Sequence, residues 1–194
     1  LSKLVKLYNR SGAIMGTFRL LKRGGNNVLN SFYTFLLKRA GAEIGKGSII
    51  QFGALLEKPK LIKIGNDCMV VKGCAITSEL KDGKLIMGNN VQINKDVILD
   101  HSGNLIIEDN VLVSEGSIIY THSHGYAPKA TPKAVKLIIE PNVWIGTRSI
   151  ILPHVDLIGR GSIIGAGAIL SKKTPPRTIM GGNPATIIKS LDHH

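Results

Sequence analysis

Aromatic residues make up only 5% of this 194-residue chain, and cysteine occurs twice. No apolar run reaches the roughly 18 residues that a membrane-spanning helix needs, and no signal-peptide pattern is visible. So few aromatics exclude a core of stacked rings, and they exclude the aromatic–basic interleaving of a nucleic-acid platform. Cys68 and Cys74 do not by themselves make a metal site; they are expected in the core as reduced thiols, which points to the cytoplasm. Acidic residues are missing from residues 1–41, while Lys3, Lys6, Arg10, Arg19, Lys22, Arg23, Lys38 and Arg39 give that segment +8 of the formal net charge of +12. Such a basic, partly amphipathic segment suits an anionic surface, such as the inner face of a membrane, or an anionic substrate. The alternative is a solvated helical cap over an open end of the fold.

Glycine is abundant, at 22 residues, and the apolar fraction is 43%. Their arrangement is clearest from Ile139 to Pro176. An aliphatic residue recurs about every six positions (Ile139, Ile145, Ile151, then Ile158, Ile164, Leu170), with a small or β-branched residue usually four places later (Val143, Ser149, Val155, then Ser162, Ala168, Thr174). A period of six fits neither a helix face nor an alternating strand. It fits a three-sided coil in which each hexad makes one short strand and one corner, a parallel β-helix. Coils start at Ile44, Ile64, Met87, Ile107, Ile139 and Ile158, at intervals of 20, 23, 20, 32 and 19 residues, against 18 for three perfect hexads. The long interval predicts a loop thrown out of the coil over about 120–137, where binding or chemistry tends to lie.

Three regions are therefore expected: a basic helical cap over 1–43, the coil over 44–176, and a tail over 177–194. Ser2 can cap a helix to about Arg10, Gly24-Gly25 is a break, and Asn26 or Asn27 opens a second helix to about Ala40. Leu29, Phe32, Tyr33 and Leu36 form its apolar face, and Gly41 is the stop. Asn183-Pro184 reads as the cap and first residue of a closing helix to about Leu191, and His193 and His194 as a frayed end.

The C-terminal third carries Asn142-Val-Trp-Ile-Gly146, Ile150-Ile-Leu-Pro153, Ile164-Gly-Ala-Gly-Ala168, Ser171-Lys-Lys-Thr-Pro-Pro176 and Gly181-Gly-Asn-Pro-Ala185. In this combination, over about residues 85–190, the chain resembles the hexapeptide-repeat O-acetyltransferases, including the galactoside and maltose enzymes and those that decorate bacterial surface polysaccharides. The resemblance implies an all-β fold, a left-handed parallel β-helix, with a homotrimer, acetyl-CoA as acyl donor and an active site between subunits. Counting from Ile107-Glu-Asp-Asn-Val-Leu-Val113, it places the catalytic histidine on His124, with His122 as the alternative, and an acceptor-side asparagine on Asn94. It lays the donor's pantetheine arm along Trp144, Gly146, Thr147, Gly165 and Ala166, and gives its phosphates Ser171, Lys172 and Lys189. Three departures stand out: one residue more than usual around Pro153-His154-Val155-Asp156, Thr186 where the family often has a cation, and no arginine in the loop after His124.

Acetyl transfer from a thioester to a sugar hydroxyl needs a base, and an imidazole titrating near ~6.5 is matched to that task. His124 is the expected base; His122 is its orienter, an acceptor contact, or the base instead. Glu115, Asp100 or a backbone carbonyl could orient the ring. Asp100, His101 and Tyr120 are candidate acceptor contacts. The small residues of the donor groove are also what tight corners require, and Trp144 could simply stack on the next coil. Four functions remain open: sugar O-acetylation, amino-sugar N-acetylation, a metallo-hydratase like the γ-class carbonic anhydrases, and a non-catalytic trimeric scaffold. The hydratases use two close histidines five apart, whereas His122 and His124 are two apart, so no metal is expected.

Overall fold

The structure is a computed structural model that describes residues 26–127 and 129–191. The expected first helix, the Gly24-Gly25 break, and His193 and His194 lie outside the described residues.

Short strands stack into three sheets, of six, eight and six strands, all parallel except the last strand of the second, that form the sides of a prism. The coil starts read from the sequence fall in direct register on the first side, Ile44 on Ile64, Ile64 on Met87, Met87 on Ile107, Ile107 on Ile139, and Ile139 on Ile158. All six are buried. Each aliphatic ledge lies on the one below, so apolar surface leaves water continuously along the axis. The corners use residues that tolerate left-handed backbone: Asp67, Asn90, Asn110 and Asn142 all have positive φ. Stacked amides tie corners together, as where Asn90 Nδ2 donates to Asn110 Oδ1 at 2.9 Å. Cys68 and Cys74 are free, buried thiols, as expected. Burial pushes the Cys74 thiol up to about 11.

A helix over 26–39 covers the first coil. It ends at Gly41, whose φ is +107°. Its docking face differs from the one expected. Leu29, Phe32 and Leu36 are exposed, while Thr34 and Leu37 are buried. The reason is the open edge of the second sheet, whose unpaired backbone needs partners. Asn30 Oδ1 accepts from Phe52 N at 2.9 Å, the Tyr33 hydroxyl donates to the Ala54 carbonyl at 2.6 Å, and Thr34 Oγ1 accepts from Ile50 N at 3.3 Å. Polar side chains thus select the inward face.

The tail corrects a second expectation. No closing helix forms over 183–191; Thr178–Gly182 and Ala185–Ser190 make an antiparallel hairpin on the edge of the second sheet. Asn183-Pro184 is the turn rather than a helix start, and Thr186, Ile187 and Ile188 are β-branched residues that favour a strand.

Candidate active site

Every coil passes from its third side to the next first side through one corner, and of three successive coils the first and the third are enlarged there. The lowest carries the insertion 78–84 after the strand Ala75–Thr77. The next carries Asp100, at the end of the strand Ile98–Asp100, and His101. The third carries the long loop, which is a projecting hairpin: His122–Ser123 pairs antiparallel with Lys133–Ala134. Gly103 seats this hairpin, since a Cβ there would run into the Thr121 and Val135 carbonyls.

Asp100 organises the corner. It is only 3% exposed. Its Oδ1 accepts from the Ser102 hydroxyl, and its Oδ2 accepts from Thr121 N at 2.6 Å and from His122 Nδ1 at 2.8 Å. Burial pushes the carboxyl up, but the hydrogen bonds from Ser102, Thr121 and His122 outweigh it and hold the group below its ordinary value. The Ser102 hydroxyl also accepts from Glu79 N at 2.8 Å, which ties the lower insertion to the same carboxylate.

The two loop histidines meet edge to face, with ring centroids 5.2 Å apart. His122 has a half-buried ring with Nδ1 on Asp100 and Nε2 3.0 Å from Glu79 Oε2. His124 donates from Nδ1 to the Ala130 carbonyl at 3.0 Å, and its Nε2 lies 3.4 Å from the same Glu79 oxygen. The side chain of His124 is 39% exposed, against 14% for His122. Glu79 also lines an open cleft of about 520 Å³, with Lys81, Asp82, Ser102 and Ala134 among others.

The other candidates fall in several places. Asp100 is buried and accepts from His122, whereas the role considered for it was to orient the catalytic ring, expected to be His124. His101 is fully buried, with Nδ1 2.7 Å from the Gly83 carbonyl, so it supports the insertion from inside and is not an acceptor contact. Tyr120 is 37% exposed at the root of the hairpin. Asn94 and Glu115 lie on the corner between the second and third sides, after the strands Gln92–Ile93 and Leu112–Val113. Trp144, Gly146, Thr147, Gly165 and Ala166 gather near that same corner on two adjacent coils, and Trp144 Nε1 donates to Ser114 Oγ at 2.9 Å. Ser171 and Lys172 sit on the histidine corner two coils further on, whereas Lys189 is exposed on the last strand of the second sheet. One chain therefore does not bring the expected donor groove to the histidines.

Glu79, Ser102, Thr121 and Ala130 were not singled out from the sequence. The signal for Glu79 was present: the second-largest interval, 23 residues, stacks below the largest at one corner.

No protein-family model matches the chain. WcaF of Escherichia coli K12, provisionally named a colanic acid biosynthesis acetyltransferase, is 28% identical over 163 residues, which cover 84% of this chain and 76% of WcaF. A provisionally named acetyltransferase of Staphylococcus aureus is 32% identical over 111 residues, and the chain spans about half of its length, 55%. Among solved structures, AntD, an N-acyltransferase of Bacillus cereus in complex with dTDP and 3-hydroxybutyryl-CoA, superposes with a TM-score of 0.73 at 25% identity, over 82% of this chain and 88% of AntD. A hexapeptide-repeat acetyltransferase of Vibrio cholerae complexed with acetyl-CoA shares the fold, with a TM-score of 0.61 at 21% identity over 94% and 91% of the two chains. In its six-residue period, its three-sided coil and these likenesses the chain is similar to the hexapeptide-repeat acetyltransferases.

Proposed function

We propose that this protein transfers an acetyl group from acetyl-CoA to a sugar hydroxyl, on a surface polysaccharide or its precursor, with His124 as general base. One observation carries the assignment. Because a carbonyl can only accept, the Ala130 contact puts the proton of His124 on Nδ1 and leaves the lone pair on Nε2, which lies 3.4 Å from Glu79 Oε2, an oxygen of a residue that lines the cleft. His122 has a carboxylate at each nitrogen, so neither is free in this arrangement. It holds the corner and fixes Glu79 beside the base.

In the reaction the acceptor hydroxyl takes the place of the Glu79 oxygen at His124 Nε2. Nε2 removes the hydroxyl proton as the oxygen bonds to the thioester carbonyl carbon. The tetrahedral oxyanion then collapses, the carbon–sulfur bond breaks, and the imidazolium returns the proton to the departing CoA thiolate. The donor groove comes from a second copy: Trp144, Gly146, Thr147, Gly165 and Ala166 lie on another corner of the prism, which a trimer would set against a neighbour's hairpin. Ser171, Lys172 and Lys189 are the proposed phosphate contacts, and Asn94 and Tyr120 the proposed acceptor contacts. The +8 carried by residues 1–41 favours an anionic glycan or membrane surface nearby. The name of WcaF supports a polysaccharide acceptor.

Amino-sugar N-acetylation is the second reading, favoured by the likeness to AntD, an N-acyltransferase. CoA release measured with matched hydroxyl and amine sugars separates the two. In either case His124→Ala is expected to lower the rate at least about tenfold, or about 1.4 kcal/mol of barrier, with little change in acetyl-CoA KM. A smaller loss would contradict the base assignment.

A further inference from the structure

Three ligand-type atoms converge at Glu79, a residue of the cleft wall. Glu79 Oε2 lies 3.0 Å from His122 Nε2 and 3.4 Å from His124 Nε2, and the three groups offer donor atoms that all fall within 4.8 Å of one another. Around a tetrahedral zinc with bonds of about 2.0–2.1 Å, neighbouring ligand atoms sit about 3.3 Å apart. Both measured separations bracket that value.

The outer contacts match as well. Histidines that bind metal through one nitrogen usually donate the other N–H to a carboxylate or a backbone carbonyl, which fixes tautomer and ring plane. His122 gives Nδ1 to the Asp100 carboxylate at 2.8 Å, and His124 gives Nδ1 to the Ala130 carbonyl at 3.0 Å. Both Nε2 atoms are thereby aimed at Glu79. The Glu79 backbone is itself fixed, through its N–H to the Ser102 hydroxyl. Two imidazoles from one hairpin and one carboxylate from the insertion two coils below form a donor set for a borderline divalent cation.

We propose that Glu79, His122 and His124 bind a divalent cation of the zinc class, and that this ion competes with the acyl acceptor for the His124 lone pair. The ion would be a reversible inhibitor of acetyl transfer and no part of its chemistry. His124 would thus serve base catalysis when free and metal binding when occupied.

Zinc titration of the chelator-treated full chain by calorimetry, with Glu79→Gln and His124→Ala alongside, tests this without any enzymatic readout. Wild type should bind one zinc ion at this site per chain, and each variant should weaken it at least tenfold. Circular dichroism and thermal melting check that the variants are folded. His193 and His194 offer a background site, which these substitutions would leave unmoved. Absence of wild-type binding at about 100 μM zinc, equal binding in either folded variant, or equal binding of magnesium would overturn the site. A second arm follows CoA release: zinc should inhibit wild type, and EDTA should reverse the inhibition. Zinc binding without inhibition would overturn the competition while leaving the acetyl-transfer reading intact.

Discussion

His101 is completely buried beneath the site, and among the described residues its Nε2 has no hydrogen-bond partner. Burial is the main influence on this ring and pushes its titration below the ordinary 6.5, against the opposing pull of the Gly83 carbonyl and the nearby Asp100 charge. Below about 6.5 the unfolded chain therefore takes up a proton that the folded chain refuses, so stability falls as pH drops through that window. Asp100, whose carboxyl is held below its ordinary value, adds stability above the usual carboxylate range that is lost only at lower pH. Thermal melts between pH 7 and pH 5 should show the first effect. His101→Asn keeps a donor for the Gly83 carbonyl and removes the titration. It should lower the melting temperature at pH 7 yet flatten the slope toward pH 5; an unchanged slope would contradict this account. Nothing in the sequence places His101 inside, because a histidine at a coil corner faces outward or inward according to how the insertion folds over it.

At the level of elements, Gly146 separates what the coil needs from what a ligand needs. A Cβ there would lie 2.6 Å from the Ile164 carbonyl oxygen and 2.7 Å from the Ala166 nitrogen, both backbone atoms of the next coil. Gly146→Ala should therefore cost about 1–3 kcal/mol of stability whether or not acetyl-CoA binds, as denaturant melts would show. The coil itself was legible, since a period of six admits few geometries and each predicted start lies on its neighbour in register. The C-terminal hairpin was less so: Asn183-Pro184 suits a helix start and a tight turn equally, and only the open sheet edge beside Thr178–Gly182 decides between them. The outward turn of Leu29, Phe32 and Leu36 was likewise hidden, because the inward face of that helix is chosen by backbone groups at the rim of the coil. The projecting loop could be located by counting. Its partner, Glu79, could be reached only by asking which insertions share a corner.

For the whole molecule, the separation of the expected donor groove from the histidine corner makes assembly part of the proposed site. A closed ring of three copies would set one chain's hairpin against the next chain's Trp144, Gly146 and Ala166. Light scattering should give three times the chain mass of 20.9 kDa. Among the described residues no helix is long and apolar enough to cross a membrane. The central claim is that base and donor groove come from different copies. Coexpression of His124→Ala with Ala166→Trp, followed by measurement of CoA release, tests it most directly. Each variant alone is expected to be nearly inactive, while random mixed trimers should regain about a quarter of the wild-type sites, those that pair an intact histidine with an intact groove. Activity that stays at the level of the separate variants, in trimers shown to contain both chains, would contradict the account.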